Sequence, residues 1–424
     1  MDKVDVDKCA EQQTAALPVE GDFPEGGTRA YLTVAGGFMA LFASFGLSNS
    51  YGVLNAYFEQ NQLKGQDSGT IALLGSVHLF FAFGSGIVQG GIFDRGYFRY
   101  QLLAGSLLWI LGSFSLAFAH EYYQFMLAYS VTCGLGLGSM FSPTMSCVGT
   151  YFLAKRAQMV GYAASGASLG AVAFPLILNN LFESIGYRNA ILTISGLSTV
   201  LLVAANAIMR PRKFVKLATT SSTPKRTPTP RLLLSFLRQP MSWITYVAIA
   251  MSMGGGMFVT LFFVQSFARE NGVNETLVKS NIAILNAIGT VCRLGAGPIA
   301  DRLGVFNTAL PITLLILGAT STAGAIIWDI AYGIPFGSFV VVMSPMWMSL
   351  ARSPGEIGSR VGLGSLFVAC AALICPPIAG RIRTASDGQY WAPLTFGGVT
   401  SAIGTGLLLV ARFKQAKKKQ TWKV

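Results

Sequence analysis

The chain has 424 residues, of which 52% are hydrophobic and 12% charged, with 48 glycines, a net charge of +13 and a mean hydropathy of +0.53. This excludes a water-soluble globule and marks a membrane protein; the basic surplus is explained by topology and anionic lipid, so no nucleic-acid partner is expected. Two histidines and six cysteines, five of them inside apolar runs, leave too few groups for a metal site or an integral-membrane enzyme, and no cofactor is expected.

In chain order, residues 1–29 are polar, lack an apolar core and are expected to form a disordered cytosolic tail. A helix crossing about 30 Å of hydrocarbon needs roughly 20 apolar residues. Runs of that kind lie at 30–56, 69–91, 100–119, 124–152, 157–181 and 187–209, then at 241–267, 277–300, 307–327, 330–350, 359–381 and 390–411. The expected units are therefore bundles over 30–209 and 241–411, joined by a cytosolic linker at 210–240 and followed by a basic tail at 412–424. The linker is rich in Ser, Thr, Pro and basic residues and ends in a short amphipathic stretch near Leu232 to Leu237. With both termini inside, 24 of the 31 basic residues fall on the cytosolic side and six on the other, as the positive-inside rule requires.

Two landmarks recur. GGIFDRGYF starts at Gly90 and GPIADRLGVF at Gly297, so Asp94-Arg95 and Asp301-Arg302 are 207 positions apart, each four residues after a glycine. Gly161 and Pro175 are fourteen apart, as are Gly362 and Pro376, at an offset of 201. Two six-span halves in one orientation, sharing motifs across a linker, are the layout of a secondary transporter that rocks its halves about a central site.

The glycine-and-Asp-Arg motif resembles the major facilitator superfamily, over about Tyr31 to Phe413. Residues Ser50 to Phe58, Phe93 to Arg99, Ala164 to Gly170 and Ile284 to Ala287 are similar to the fungal branch of the monocarboxylate porters. The resemblance implies an all-α membrane protein with twelve transmembrane helices in two pseudo-symmetric six-helix bundles. It implies a small-molecule substrate, with or without a proton: a monocarboxylate, a vitamin or an exported secondary metabolite. A monomer in the lipid bilayer of the plasma membrane, or of an internal membrane such as the vacuole, is the expectation.

The gate is expected at the motifs. Gly90 permits close helix approach. Asp94 is expected to sit against the positive end of the eleventh span, and Arg95 and Arg99 to reach carboxylates or helix C-termini. Gly297, Asp301 and Arg302 repeat the set. The second half is shorter, since Asp94 and Gly161 are 67 residues apart and Asp301 and Gly362 are 61, which places a tight hairpin between the ninth and tenth spans with Asp329 at its tip.

Arg293 is the one charge deep inside a span, eight residues before Asp301, or about 12 Å along a helix rising 1.5 Å per residue. It either pairs with backbone carbonyls or offers its planar fork to a substrate carboxylate, with Asn286 on the same face. Asn49, Tyr51 and Asn55 in the first span, Phe174 in the fifth, Phe263 and Gln265 in the seventh and Trp347 in the tenth are further candidate binding residues. The animal monocarboxylate porters carry an Asp and a Lys where this chain has Gly289 and Val53, so His78 is the remaining proton-coupling candidate. Other readings are an antiporter exporting a neutral metabolite or drug, whose fifth-span glycine pattern is replaced here by GAVAFP at Gly170 to Pro175, and a non-transporting nutrient sensor.

Overall fold

The computed structural model describes residues 25–64, 66, 68–212, 235–260, 275–303, 322–351, 356–386, 389 and 391–420. All regular elements among them are helical. The N-terminal half comprises α1 (Thr28–Asn49), α2 (Tyr51–Gln60), α3 (Ser68–Gly84), α4 (Gly86–Asp94), α5 (Phe98–Leu116), α6 (Tyr122–Phe125), α7 (Gly134–Gly149) and α8 (Arg156–Ile208). The C-terminal half comprises α9 (Pro240–Met251), α10 (Glu275–Leu303), α11 (Thr322–Ser349), α12 (Ile357–Ala385) and α13 (Trp391–Lys419). Among the described residues seven stretches are long and apolar enough to cross a membrane. One of them, α8, is 53 residues long and is broken at Gly186, whose φ of 73° and ψ of 169° only glycine adopts without strain. It therefore supplies both the fifth and the sixth crossing.

Helices suit lipid because they satisfy their own backbone polar groups. Several Ser and Thr hydroxyls bond back to their own helix: Ser44 Oγ donates to Ala40 O at 2.7 Å, and Thr245 Oγ1 to Met241 O at 2.8 Å. Two segments depart from α geometry, Met126–Cys133 before α7 and Ser252–Val259 after α9, where i→i+5 bonding inserts an extra residue. Such wide turns leave carbonyls free for other partners.

The ninth-to-tenth hairpin needs correction. Helix α11 runs without a break through Trp328 and Asp329, so Asp329 is not at a tip. A single Asp among Ile, Trp and Ala carries no Gly or Pro turn signal and does not stop a helix. Residues 304–321 lie outside the described residues, as does most of the linker.

The halves meet along two seams, α4 with α12 and α10 with α8, and α11 packs on α7 and α8. At the motif-bearing end both seams are closed to backbone contact. A Cβ at Gly90 would overlap the carbonyl of Gly358, one at Gly358 would overlap that of Gly90, and one at Gly297 would meet Gln158 Cα at 2.5 Å. These three glycines are what allow the approach.

Candidate functional site

The closed end is held by two carboxylates, each crossing to the opposite half. The Asp94 carboxylate, at the end of α4, accepts from the backbone N–H of Gly358 at 2.8 Å and of Ser359 at 2.7 Å, and from Ser359 Oγ at 2.5 Å. Asp301, in the last turn of α10, accepts from the N–H of Ala157 at 2.9 Å and of Gln158 at 2.8 Å. In both cases the donors belong to the first turn of a helix, α12 or α8, where amides lack intrahelical partners and the helix dipole is positive. The expected placement of Asp94 against the eleventh span is what the geometry contains. The reciprocal placement of Asp301 was available from the 201-residue offset, which makes the fifth and eleventh spans equivalent. Arg95, Arg99 and Arg302 are exposed at this end.

One layer deeper in the same seam lies Arg293, 5% exposed. Its Nη1 donates to the carbonyl of Ala164 on α8 at 2.9 Å, across the two halves, while its buried Nε has no partner among the described residues. No described carboxylate pairs with it. Helix α8 comes this close because Gly161 faces the backbone of Arg293: a Cβ there would lie 2.8 Å from the Arg293 carbonyl and 3.0 Å from Val341. Asn286 is buried on the same helix, two turns away, and its carbonyl accepts from Thr290 Oγ1 at 2.9 Å.

His78 sits inside the N-terminal half. Its ring stacks on Tyr129 with centroids 4.5 Å apart, and Nδ1 lies 3.0 Å from the Tyr129 carbonyl in the wide-turn segment. A carbonyl only accepts, so Nδ1 carries the proton. Nε2 faces Ser48 Oγ at 2.9 Å, and that hydroxyl also lies 3.0 Å from Ser44 O. Once Ser48 turns its hydrogen to Ser44, Nε2 has an acceptor for a proton of its own in the Ser48 oxygen. Tyr51 stacks on Tyr129 and donates to the carbonyl of Ile71; Asn49 Nδ2 donates to Phe45 O at 2.9 Å.

Phe174 and Trp347 are fully buried against Gly46 and Gly364, which have no side chains to keep them away. The side chain of Asn55 and both Phe263 and Gln265 lie outside the described residues. A feature missed in the sequence is a chain of rings from four helical segments: Phe45 to Phe141 at 5.4 Å, Phe141 to Phe83 at 5.6 Å, and Phe83 to Phe258 at 6.2 Å, the last joining the two halves. Phenylalanine is frequent in every span, so periodicity alone could not single these out.

A two-half helical bundle tied at one end of its seams by reciprocal carboxylates has the layout of a secondary transporter. Comparison with known proteins agrees. Residues 34–376 match the family model of the Major Facilitator Superfamily, and the chain belongs to that family. It is 31% identical over 398 residues to "MFS-type transporter 1" of an Ophiocordyceps species, covering 92% of this chain and 86% of that protein. It is 31% identical over 413 residues to the "Fujikurins efflux protein" of Gibberella fujikuroi, covering 93% and 85%. It is 30% identical over 402 residues to the "Aspyridones efflux protein apdF" of Emericella nidulans, covering 90% and 79%. Among solved structures, the major facilitator transporter FucP in its outward conformation superposes with a TM-score of 0.68 over 90% of this chain and 98% of that one, at 14% identity. The protein is thus a multi-pass membrane transporter rather than an enzyme, and its twelve-helix fold is that of the family.

Proposed function

We propose that this chain exports a small organic anion, a carboxylate-bearing fungal secondary metabolite, from the cytosol by alternating access. The observation that carries the reading is Arg293: a guanidinium in the inter-half seam that, among the described residues, has a carbonyl bond to Ala164 and no partner at Nε. A buried charge is costly, and a carbonyl compensates it less well than a carboxylate in fork-to-fork geometry. When the motif-bearing end opens, α10 leaves α8, the bond to Ala164 breaks and the fork faces that end. The distribution of Lys and Arg places that end in the cytosol, so the anion site loads from inside. The relatives named as efflux proteins support the same direction.

The ring chain from Phe45 to Phe258 favours a cargo with an apolar, unsaturated body. It also supports the second reading, export of a neutral metabolite.

Binding of radiolabelled benzoate and benzamide to the purified protein separates the two. The anion reading expects Arg293→Ala to weaken benzoate binding at least about tenfold, with Arg293→Lys recovering little because a point charge cannot replace the fork. Equal binding of benzamide and benzoate, both indifferent to Arg293, would reject it in favour of the neutral cargo.

A further inference from the structure

The segments that lead into the first helix of each half both contact the start of the helix that receives the opposing aspartate, one at the loop before α8 and the other in the first turn of α12. Ahead of α1, Glu25 donates its backbone N–H to Tyr151 O at 3.2 Å, and its Oε1 accepts from the N–H of Leu153 at 2.5 Å and of Ala154 at 2.8 Å. Those residues form the loop that delivers α8, and Ala157 and Gln158, the amides held by Asp301, follow three and four residues after Ala154. Between them Arg156 ties the loop to the end of α7, its Nε donating to Gly149 O at 3.1 Å and Phe152 O at 3.0 Å. The ring of Tyr31, in the first turn of α1, sits 6.1 Å from that of Phe152.

Ahead of α9 the same arrangement recurs with different chemistry. Phe236 is buried beneath the guanidinium of Arg360 at 4.2 Å, and Arg360 donates to Gln239 Oε1 at 3.3 Å and to Ser242 Oγ at 3.0 Å. Arg360 lies in the first turn of α12 and is fully buried; its Nε also reaches Glu356, the residue that precedes the helix, at 3.4 Å. One and two residues before Arg360 are Ser359 and Gly358, the amides held by Asp94.

We infer that Glu25 and the Phe236–Gln239–Arg360 cluster are positioning residues of the gate: each fixes the first turn of α8 or α12 so that two free amides point at the carboxylate of the other half. The physical requirement is strict. A carboxylate reads two adjacent N–H groups at once only if the turn that carries them is held, and neither turn is restrained from the N-terminal side by its own helix. The segments outside the membrane thereby set how firmly the motif-bearing end closes. Glu25 contacts only the α8 side among the described residues and Gln239 the α12 side, so the N-terminal segment tunes the Asp301 latch and the linker end tunes the Asp94 latch.

The test is residue-resolved hydrogen exchange on the purified full chain, read at the latch amides. Glu25→Ala is expected to speed exchange at Ala157 and Gln158 by about fivefold, the effect of losing a cap. Glu25→Gln, which keeps the Oε1 acceptor, is expected to restore most of the protection. In an Asp301→Asn background Glu25→Ala adds nothing at those amides, whereas in an Asp94→Asn background its effect is undiminished, because the coupling belongs to one latch. Gln239→Ala shows the converse pairing at Gly358 and Ser359, and carries the comparison alone should Glu25→Ala not fold. Acceleration confined to Leu153 and Ala154, or effects that add equally in both backgrounds, would make these contacts simple packing and overturn the inference.

Discussion

Asp94 and Asp301 hold the seams in the same way. Each accepts from two successive amides of the opposite half, and Asp94 also from the Ser359 hydroxyl, and a charged hydrogen bond contributes roughly 1.5 to 3 kcal/mol before the cost of desolvation. Replacing either by Asn keeps one acceptor oxygen and removes the charge that faces a helix N-terminus, an interaction worth about 0.3 to 2 kcal/mol. Asp94→Asn is therefore expected to leave the protein inserted and to slow its transport cycle. Benzoate flux at the wild-type rate from reconstituted mutant would show that the latch has no part in switching. At His78, the proton-accepting atom is Nε2, with Ser48 free to turn to Ser44. If a proton drives transport through that atom, His78→Gln flattens the dependence of flux on pH between about 5 and 7.5. An unchanged profile assigns His78 to packing.

At the scale of helices, the closure rests on absent side chains. Gly90 and Gly358 face each other across α4 and α12, and Gly297 faces the first turn of α8. Any side chain at Gly90 must push the Gly358 carbonyl away, and overpacking of this kind costs about 1 to 3 kcal/mol. Gly90→Leu is expected to hold the motif-bearing end open, seen as faster hydrogen exchange at Gly358 and Ser359; wild-type protection there would mean that the approach is not limiting. Gly90, Gly297, the aspartates and the repeat that relates them were legible in the sequence because charge is rare against the apolar background and each Asp-Arg pair follows a glycine by four residues; Gly358 was not. The continuity of α11 through Asp329 was not legible either, since the span boundary was drawn at a charge, in a stretch with no Gly or Pro between Gly324 and Gly333. Nor were the partners of His78 and Arg293: both bond to backbone carbonyls, of Tyr129 and Ala164, and carbonyls have no sequence signature. The wide turn that frees the Tyr129 carbonyl is likewise a property of helix packing rather than of residue type.

The whole molecule joins three parts: two bundles, a pair of latches at one end, and a cation buried in the seam they close. Tags at the N-terminus, in the linker between Thr219 and Thr229 and at the C-terminus are all expected on the cytosolic side of intact cells, and a linker tag reached from outside would reverse the direction of loading. The central claim is that the motif-bearing end opens when the latches are released. Spin labels at Tyr100→Cys in one half and Phe413→Cys in the other, both at exposed sites, in a chain whose six native cysteines are replaced, report that opening as a distance. The account predicts one dominant short distance in the otherwise wild-type chain and a second, longer population when Asp94→Asn and Asp301→Asn are combined. A distribution identical in the two proteins would contradict it.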